Sequence, residues 1–336
     1  MTEIEEKQRN IRQGIDEIRG LAKKPMTRQA AWNRLRQLKP ELFTALDSPS
    51  GGLQHPYPQP TVGTQASGDN GEQDSSRLMD NHRLSLVVPA FNEERTIHTV
   101  LGRIFEFLPD VHEVIVVDDA SVDRTPELSH EYGDRDKRVK LFRHKTNLGK
   151  TAALQTGFAA CTGSIVVVQD SDLEYDPREI PDLIAPIKEG VADVCLGSRF
   201  LVHRAGRVLY FRHFLANKFL TFINNVLTDL NLTDVETGYK AARAEIAKNM
   251  IIQSSGFGFE IEFVAKCKKI GARMYEVPIS YYGRTYEEGK KVGLKDGLHA
   301  LWYLIKFNLL TGLKQSFRRP FLEAKAYPKK GTETVG

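Results

Sequence analysis

The stretch Leu84-Ser-Leu-Val-Val-Pro-Ala-Phe-Asn-Glu-Glu94 opens the part of the chain that decides the fold. Its first six residues are a short apolar run, read as a buried strand, and polar residues follow at once. Ile97, Val100, Leu101, Ile104, Phe105 and Leu108 then recur at helical spacing. The alternation continues downstream. Val114-Ile-Val-Val117 reads as a second buried strand and Val139 to Phe142 as a third. Thr125-Pro126 reads as a helix start, with Thr as cap and Pro at the first helical position. Gly149 to Ala160 is a helix of small residues, and Ser164 to Gln169 a fourth strand. Continuous β-branched strands alternating with helices predict an α/β fold with a mostly parallel, doubly wound sheet. Ligands of such sheets sit beyond the carboxyl ends of the strands, so the residues that follow each strand carry the chemistry.

Strand one runs into Pro89-Ala-Phe-Asn-Glu-Glu94 and strand two into Asp118-Asp119-Ala-Ser121. Strand three runs into Asn147-Leu-Gly-Lys150 and strand four into Asp170-Ser171-Asp172. Any one of these could be a turn, since Asp, Asn and Ser are favoured there. Four of them on successive strand ends of one sheet are hard to assign to turns. No GxGxxG follows strand one, so a dinucleotide fold is not supported. Gly149-Lys150-Thr151 has the form of a phosphate-loop ending, but the glycine required five positions earlier is His144. Asp170-x-Asp172 is the strongest local signal. Strand period two sends both carboxylates to the same side. Two converging carboxylates call for a cation, and a hard ion such as Mg²⁺ or Mn²⁺ prefers oxygen ligands and keeps sites for phosphate. Glu174 continues the alternation if the chain stays extended.

From Leu84 to about Leu310 the chain resembles glycosyltransferase family 2, in the branch of dolichyl-phosphate mannosyltransferase and related polyprenyl-phosphate glycosyltransferases. The resemblance is carried by the motifs above together with Asp170-Ser-Asp-Leu-Glu174, Gly197-Ser-Arg-Phe200, Asp234-Val-Glu-Thr-Gly-Tyr-Lys240 and Phe257-Gly-Phe-Glu260. It implies a GT-A nucleotide-diphospho-sugar transferase fold, a nucleotide-sugar donor and a divalent metal. By the same resemblance Pro89, Phe91, Asn92 and Glu93 line the base pocket, Asp118 or Asp119 binds the base or ribose, and Lys150 and Asp170 belong to the nucleotide-sugar site. Asp170, Asp172 and Glu174 are the implied metal ligands, and Asp172, Arg199, Asp234 and Glu260 the implied catalytic set. The implied reaction is direct displacement with inversion, transferring mannose or glucose, with GDP-mannose and UDP-glucose ranked first as donors.

A lipid phosphate acceptor would be anionic already and would need orienting cations rather than a base. Arg199, Arg212, Arg284 and Lys290 are the candidates, with Arg204 and Arg207 in a basic loop; arginine forks suit phosphate. Where related enzymes carry Arg-x-x-x-Ser, this chain has Arg212-x-x-x-Ala216, with Asn217 beside it as the replacement contact. If the acceptor were instead a hydroxyl of a soluble molecule or polysaccharide, Glu260 or Asp234 would be the base. A reading of another class is a non-catalytic nucleotide-sugar-binding or scaffold protein.

Around this domain (84–310) the sequence predicts a helical N-terminal extension (1–47), a disordered linker (48–83) rich in Gly, Ser, Pro and Gln, and a basic C-terminal tail (311–336). The net charge of +4 resides in that tail, which holds six basic and two acidic residues; the remainder has 41 of each sign. Such a balance argues against a nucleic-acid partner. Three widely spaced cysteines support neither a disulfide framework nor a zinc site. A charged N-terminus and the lack of 18 consecutive apolar residues predict a cytoplasmic chain without signal peptide or spanning helix. Phe211 to Leu230 and Leu298 to Leu313 are apolar, aromatic-rich stretches that could be core helices or interfacial anchors. With the basic tail they predict peripheral contact with the inner face of the membrane.

Overall fold

A computed structural model describes residues 82–201, 210–283 and 294–324. The extension at 1–47, nearly all of the linker, Arg204, Arg207, Arg284, Lys290 and the tail beyond Ala324 lie outside the described residues.

The predicted alternation is met. In chain order the elements run β1 (Leu84–Ala90), α1 (Ile97–Phe107), β2 (Glu113–Asp118), α2 (Thr125–Arg135), β3 (Val139–Arg143), α3 (Lys150–Ala160), β4 (Ile165–Val168) and α4 (Ile180–Lys188). They continue with β5 (Val194–Ser198), α5 (Phe211–Thr228), β6 (Lys240–Arg243), α6 (Ala244–Asn249), α7 (Phe259–Lys269), β7 (Met274–Pro278) and α8 (Leu294–Ile305). A π turn (Lys306–Leu310) and two short helices, α9 (Leu313–Ser316) and α10 (Arg319–Ala324), close the described chain.

The seven strands form one sheet in the order β3-β2-β1-β4-β6-β5-β7. All pairs are parallel except those of β6, which runs antiparallel to both β4 and β5. The strands β1, β2, β4 and β5 are buried at every residue because both faces are covered. Val87, Ile115, Val117, Val166 and Val168 enter one core cluster with α3 and α7. Their neighbours Leu86, Val88, Val114, Val116, Ile165 and Val167 enter the other, with α1 and α4. Each such fully buried side chain stabilises the fold by about 1.5–3 kcal/mol. Helix α3 needs its small residues. A Cβ on Gly157 would stand 2.2 Å from Val87 Cγ1, and Gly149 precedes the helix at φ +90°, a conformation that favours glycine. Helix α2 begins one residue earlier than predicted. Thr125 lies inside it, and Asp123 accepts from both the Thr125 backbone N–H (3.0 Å) and its hydroxyl (2.6 Å).

The reversal at β6 matters for the site. The parallel strands β1, β2, β4 and β5 all end at one rim. Because β6 runs the other way, the residues that precede it, Asp234 to Tyr239, reach that same rim.

Candidate active site

Two loops form the first wall. Asn92, at φ +57°, donates its backbone N–H to Ser121 Oγ (2.9 Å), and its side-chain Oδ1 accepts from Val122 N–H (3.0 Å). Glu93 N–H donates to Thr125 Oγ1 (2.8 Å), and Thr96 Oγ1 donates to the Glu93 carboxylate (2.8 Å). Asn92 and Glu93 therefore clasp the β1 and β2 loops together. Phe91 beside them leaves 45% of its surface exposed, an aromatic face at the rim. Pro89 is buried, and its carbonyl accepts from Ser171 Oγ (2.9 Å).

The two adjacent aspartates divide their work. Asp119 is committed to the β3–α3 loop: it accepts from Leu148 N–H (3.0 Å) and Gly149 N–H (2.7 Å), and His144 Nδ1 lies 2.7 Å away. His144 also reaches Thr156 Oγ1 (2.9 Å). Asp118 is fully buried, and Oδ1 accepts from Ser121 N–H (3.3 Å). Arg143 Nε lies 3.0 Å from Asp118 Oδ2, close enough to pair as charges but off line for a hydrogen bond, so Oδ2 has no hydrogen-bond donor. A buried acceptor left in this way is costly unless a ligand completes it.

Strand β4 ends at Val168, so Asp170 to Asp172 lie in the turn beyond it and strand period does not govern them; Ser171 is buried, and Asp170 and Asp172 are partly exposed on either side of it in sequence. Leu173 takes φ +63°, so Glu174 does not join the pair; its carboxylate accepts from Tyr281 Oη (2.8 Å), and its backbone N–H donates to Asp172 Oδ1 (3.1 Å). The three-carboxylate set expected from the sequence is thus reduced to two. Among the described residues, no three His, Cys, Asp or Glu side chains are grouped to hold a metal ion. Asp170 and Asp172 still form a donor set of the hard-oxygen kind, fit for an ion that takes its remaining ligands from diphosphate and water.

Behind this pair lies a chain of alternating charges. Lys150 Nζ bridges Asp170 Oδ1 (2.8 Å) and Glu260 Oε1 (3.5 Å). Burial opposes the Lys150 charge, but the two carboxylates outweigh it and its pKa is raised. Glu260 is buried, and its Oε2 has no hydrogen-bond partner. Lys240 is buried nearby and donates to the Thr237 carbonyl. Burial pulls its pKa down to about 8, against the Glu260 and Glu236 carboxylates that favour its charge. Glu236 is pushed up to about 8 by burial and by the neighbouring Glu260 charge.

Arg199, following β5, grips fully buried Asp234 with both arms of its fork, Nε to Oδ2 and Nη2 to Oδ1, each 2.7 Å. Its guanidinium also lies 5.1 Å from the Tyr281 ring centre. Asp234 is thereby committed as a counter-ion. Of the other acceptor candidates, Arg212 is exposed in the first turn of α5 and Asn217 half-buried one and a half turns further on. Two residues of this rim were not singled out in the sequence, Glu236 and Lys240. The signal was there: Asp234-x-Glu236 repeats the spacing of Asp170-x-Asp172, and a charged residue opens a strand at Lys240.

Residues 85–251 match the family model for glycosyl transferase family 2. The chain is 28% identical over 221 residues to the undecaprenyl-phosphate mannosyltransferase of Micrococcus luteus, covering 63% of this chain and 88% of that protein. It is 30% identical over 216 residues to the dolichol-phosphate mannosyltransferase of Pyrococcus furiosus, covering 63% of this chain and 60% of that one. In fold it is similar to glucosyl-3-phosphoglycerate synthase of Mycobacterium tuberculosis, solved with Mn²⁺ and UDP-glucose, at a TM-score of 0.54 and 22% identity over 74% of this chain and 87% of that one.

Proposed function

Since residues 85–251 form a family 2 glycosyltransferase domain, we propose that the chain moves a hexose, mannose first and glucose second, from a nucleotide-diphosphate sugar to a polyprenyl phosphate at the cytoplasmic membrane face. The observation that carries this reading is the grouping at one rim of Asp170, Asp172 and Lys150 with the Arg199–Asp234 pair. The names of the relatives support the acceptor. No helix among the described residues is long and apolar enough to cross a membrane.

In this reading Phe91 stacks on the base, and Asp118 Oδ2 accepts from the base or ribose. Asp170 and Asp172 hold the divalent ion, whose chemistry when bound is to stabilise charge on the departing diphosphate. Lys150 keeps Asp170 in place and neutralises part of the carboxylate charge. With Nε and Nη2 of Arg199 engaged by Asp234, Nη1 is the donor it offers the acceptor phosphate. A phosphate monoester loses its second proton near pH 6 (about 6), so the nucleophile is charged at neutral pH and requires no base. A hydroxyl acceptor would need one. Asp234 is held by Arg199 and Glu260 Oε1 by Lys150, which makes that alternative the weaker.

Donor consumption measured with Mn²⁺, with and without polyprenyl phosphate in detergent, tests the proposal. Consumption should depend on the lipid, stop on chelation, and fall by about a hundredfold or more in Asp172→Asn. Lipid-independent consumption, or a fully active Asp172→Asn, would contradict it.

A further inference from the structure

Helix α5 is apolar on its outer side as well as its inner one, where Leu220, Ile223 and Leu227 pack on the core. Its buried residues are Leu220, Thr221, Asn224 and Thr228, and both side-chain polar atoms of Asn224 are buried without a hydrogen-bond partner. Its outward stripe is Phe211, Leu215, Phe219, Phe222 and Val226, each between 54% and 73% exposed. Their spacing of four, four, three and four places them along one side of the helix. Helix α8 packs against α5 and repeats the pattern. Leu298, Trp302, Ile305 and, in the following turn, Leu309 are spaced four, three and four, and each is between 45% and 63% exposed. A helix whose outer surroundings were only water would be polar on that side. Paired apolar stripes of this extent mark a surface meant to be covered.

Charge identifies what covers it. From Phe211 to Thr228, and again from Gly297 to Leu322, there is no Asp or Glu; Asp229, Asp296 and Glu323 stand only at the ends of these stretches. The exposed cations Arg212, Lys314 and Arg318 lie within or beside the same segments. The partner is therefore apolar at its centre and anionic at its border. Residues 1–81 of the chain carry eleven acidic and eleven basic residues, no match for this border. A second copy would oppose cation to cation across a two-fold axis. The face is also continuous with the rim. Phe214 meets Phe200 edge-on at 5.3 Å between ring centres, and Phe200 adjoins Arg199.

We propose that α5 and α8 together form the face by which the chain lies on an anionic lipid bilayer, their aromatic stripes at the acyl boundary and their cations among the headgroups. The inference rests on the lipid-phosphate reading above and adds where the chain meets the bilayer. In that pose Arg199 stands at the bilayer edge, so the acceptor phosphate is reached without drawing its hydrocarbon tail out of the membrane.

The chain has two tryptophans, Trp32 and Trp302, so full-length Trp32→Phe protein reports on Trp302 alone. It is mixed with vesicles of phosphatidylglycerol and phosphatidylcholine that contain no polyprenyl phosphate. Trp302 emission should shift to the blue and be quenched by brominated acyl chains, and binding should weaken as salt rises. Phe219→Glu combined with Phe222→Glu should lower vesicle affinity by about tenfold or more, while transfer to polyprenyl phosphate in detergent stays within about twofold. An unquenched Trp302, or vesicle binding unchanged in the double variant, would overturn the proposal. So would a double variant that changes only the sedimenting mass, because the covering partner would then be a second copy. Binding to these vesicles by a protein that shows no transfer in detergent would support the face and count against the acceptor reading alone.

Discussion

Gly238 sits where no side chain fits. A Cβ there would stand 2.6 Å from Asp170 Oδ2 and 2.7 Å from Tyr175 Cε2, and its N–H donates to Tyr175 Oη (2.8 Å). Tyr175 is held in turn against Tyr239, with ring centres 4.8 Å apart. Gly238→Ala should therefore displace Asp170 from its place beside Lys150. Overpacking of this kind costs about 1–3 kcal/mol of stability, and the expected kinetic effect is a fall in kcat/KM of about tenfold or more. Steady-state kinetics beside a thermal melt would check it; unchanged kinetics would show that Asp170 does not depend on this contact. Single residues were legible in the sequence where their place in the chain marked them. Asp170 and Asp172 followed from their place after a strand, although β4 itself ends at Val168 and strand period does not reach them. Glu174 did not, because the positive φ at Leu173 leaves no trace in residue type. The division of labour between Asp118 and Asp119 rests on hydrogen bonds from Leu148 and Gly149, which only the folded loop brings near.

Among the elements, the four strand starts opposite the active rim are tied by one carboxylate. Glu113, at the start of β2, accepts from Ser85 Oγ of β1 (2.6 Å), from Lys140 Nζ of β3 (2.6 Å) and from Thr162 N–H ahead of β4 (2.5 Å). Burial would raise its pKa, but these donors overcome burial and hold it at about 2. The folded value lies below the unfolded one, so the stabilisation is complete above about pH 4.5 and is lost as pH falls through about 2. Glu113→Gln should cost about 3 kcal/mol at pH 7. In urea titrations the gap from wild type should narrow steadily below about pH 5. A gap that ignores pH would assign the loss to packing. The central strands β1, β2 and β4 were readable because both their faces are buried, which makes each a largely apolar run. Strand β6, Lys240-Ala-Ala-Arg, was not: it is four residues long without a β-branched side chain. Pairing with β4 and β5, not intrinsic propensity, makes it a strand.

At the scale of the molecule, the sheet gathers one chemistry at a single rim and the two apolar helices adjoin it through Phe200 and Phe214. The sequence left those helices open between core and interface, since periodicity reports a stripe and not which way it turns. Phe219, Phe222 and Trp302 are exposed, so the stripes turn outward from the core. The basic residues that make up the whole net charge come after α8 in the chain. The central claim is transfer to a lipid-borne phosphate. Its most direct test is mass spectrometry of the lipid recovered after incubating the chain with Mn²⁺, GDP-mannose or UDP-glucose, and either a polyprenyl phosphate or the matching polyprenol. The account predicts one hexose added to the phosphate-bearing lipid and none to the alcohol. Hexose on the alcohol, or on neither lipid while a free hydroxyl acceptor is glycosylated, would contradict it.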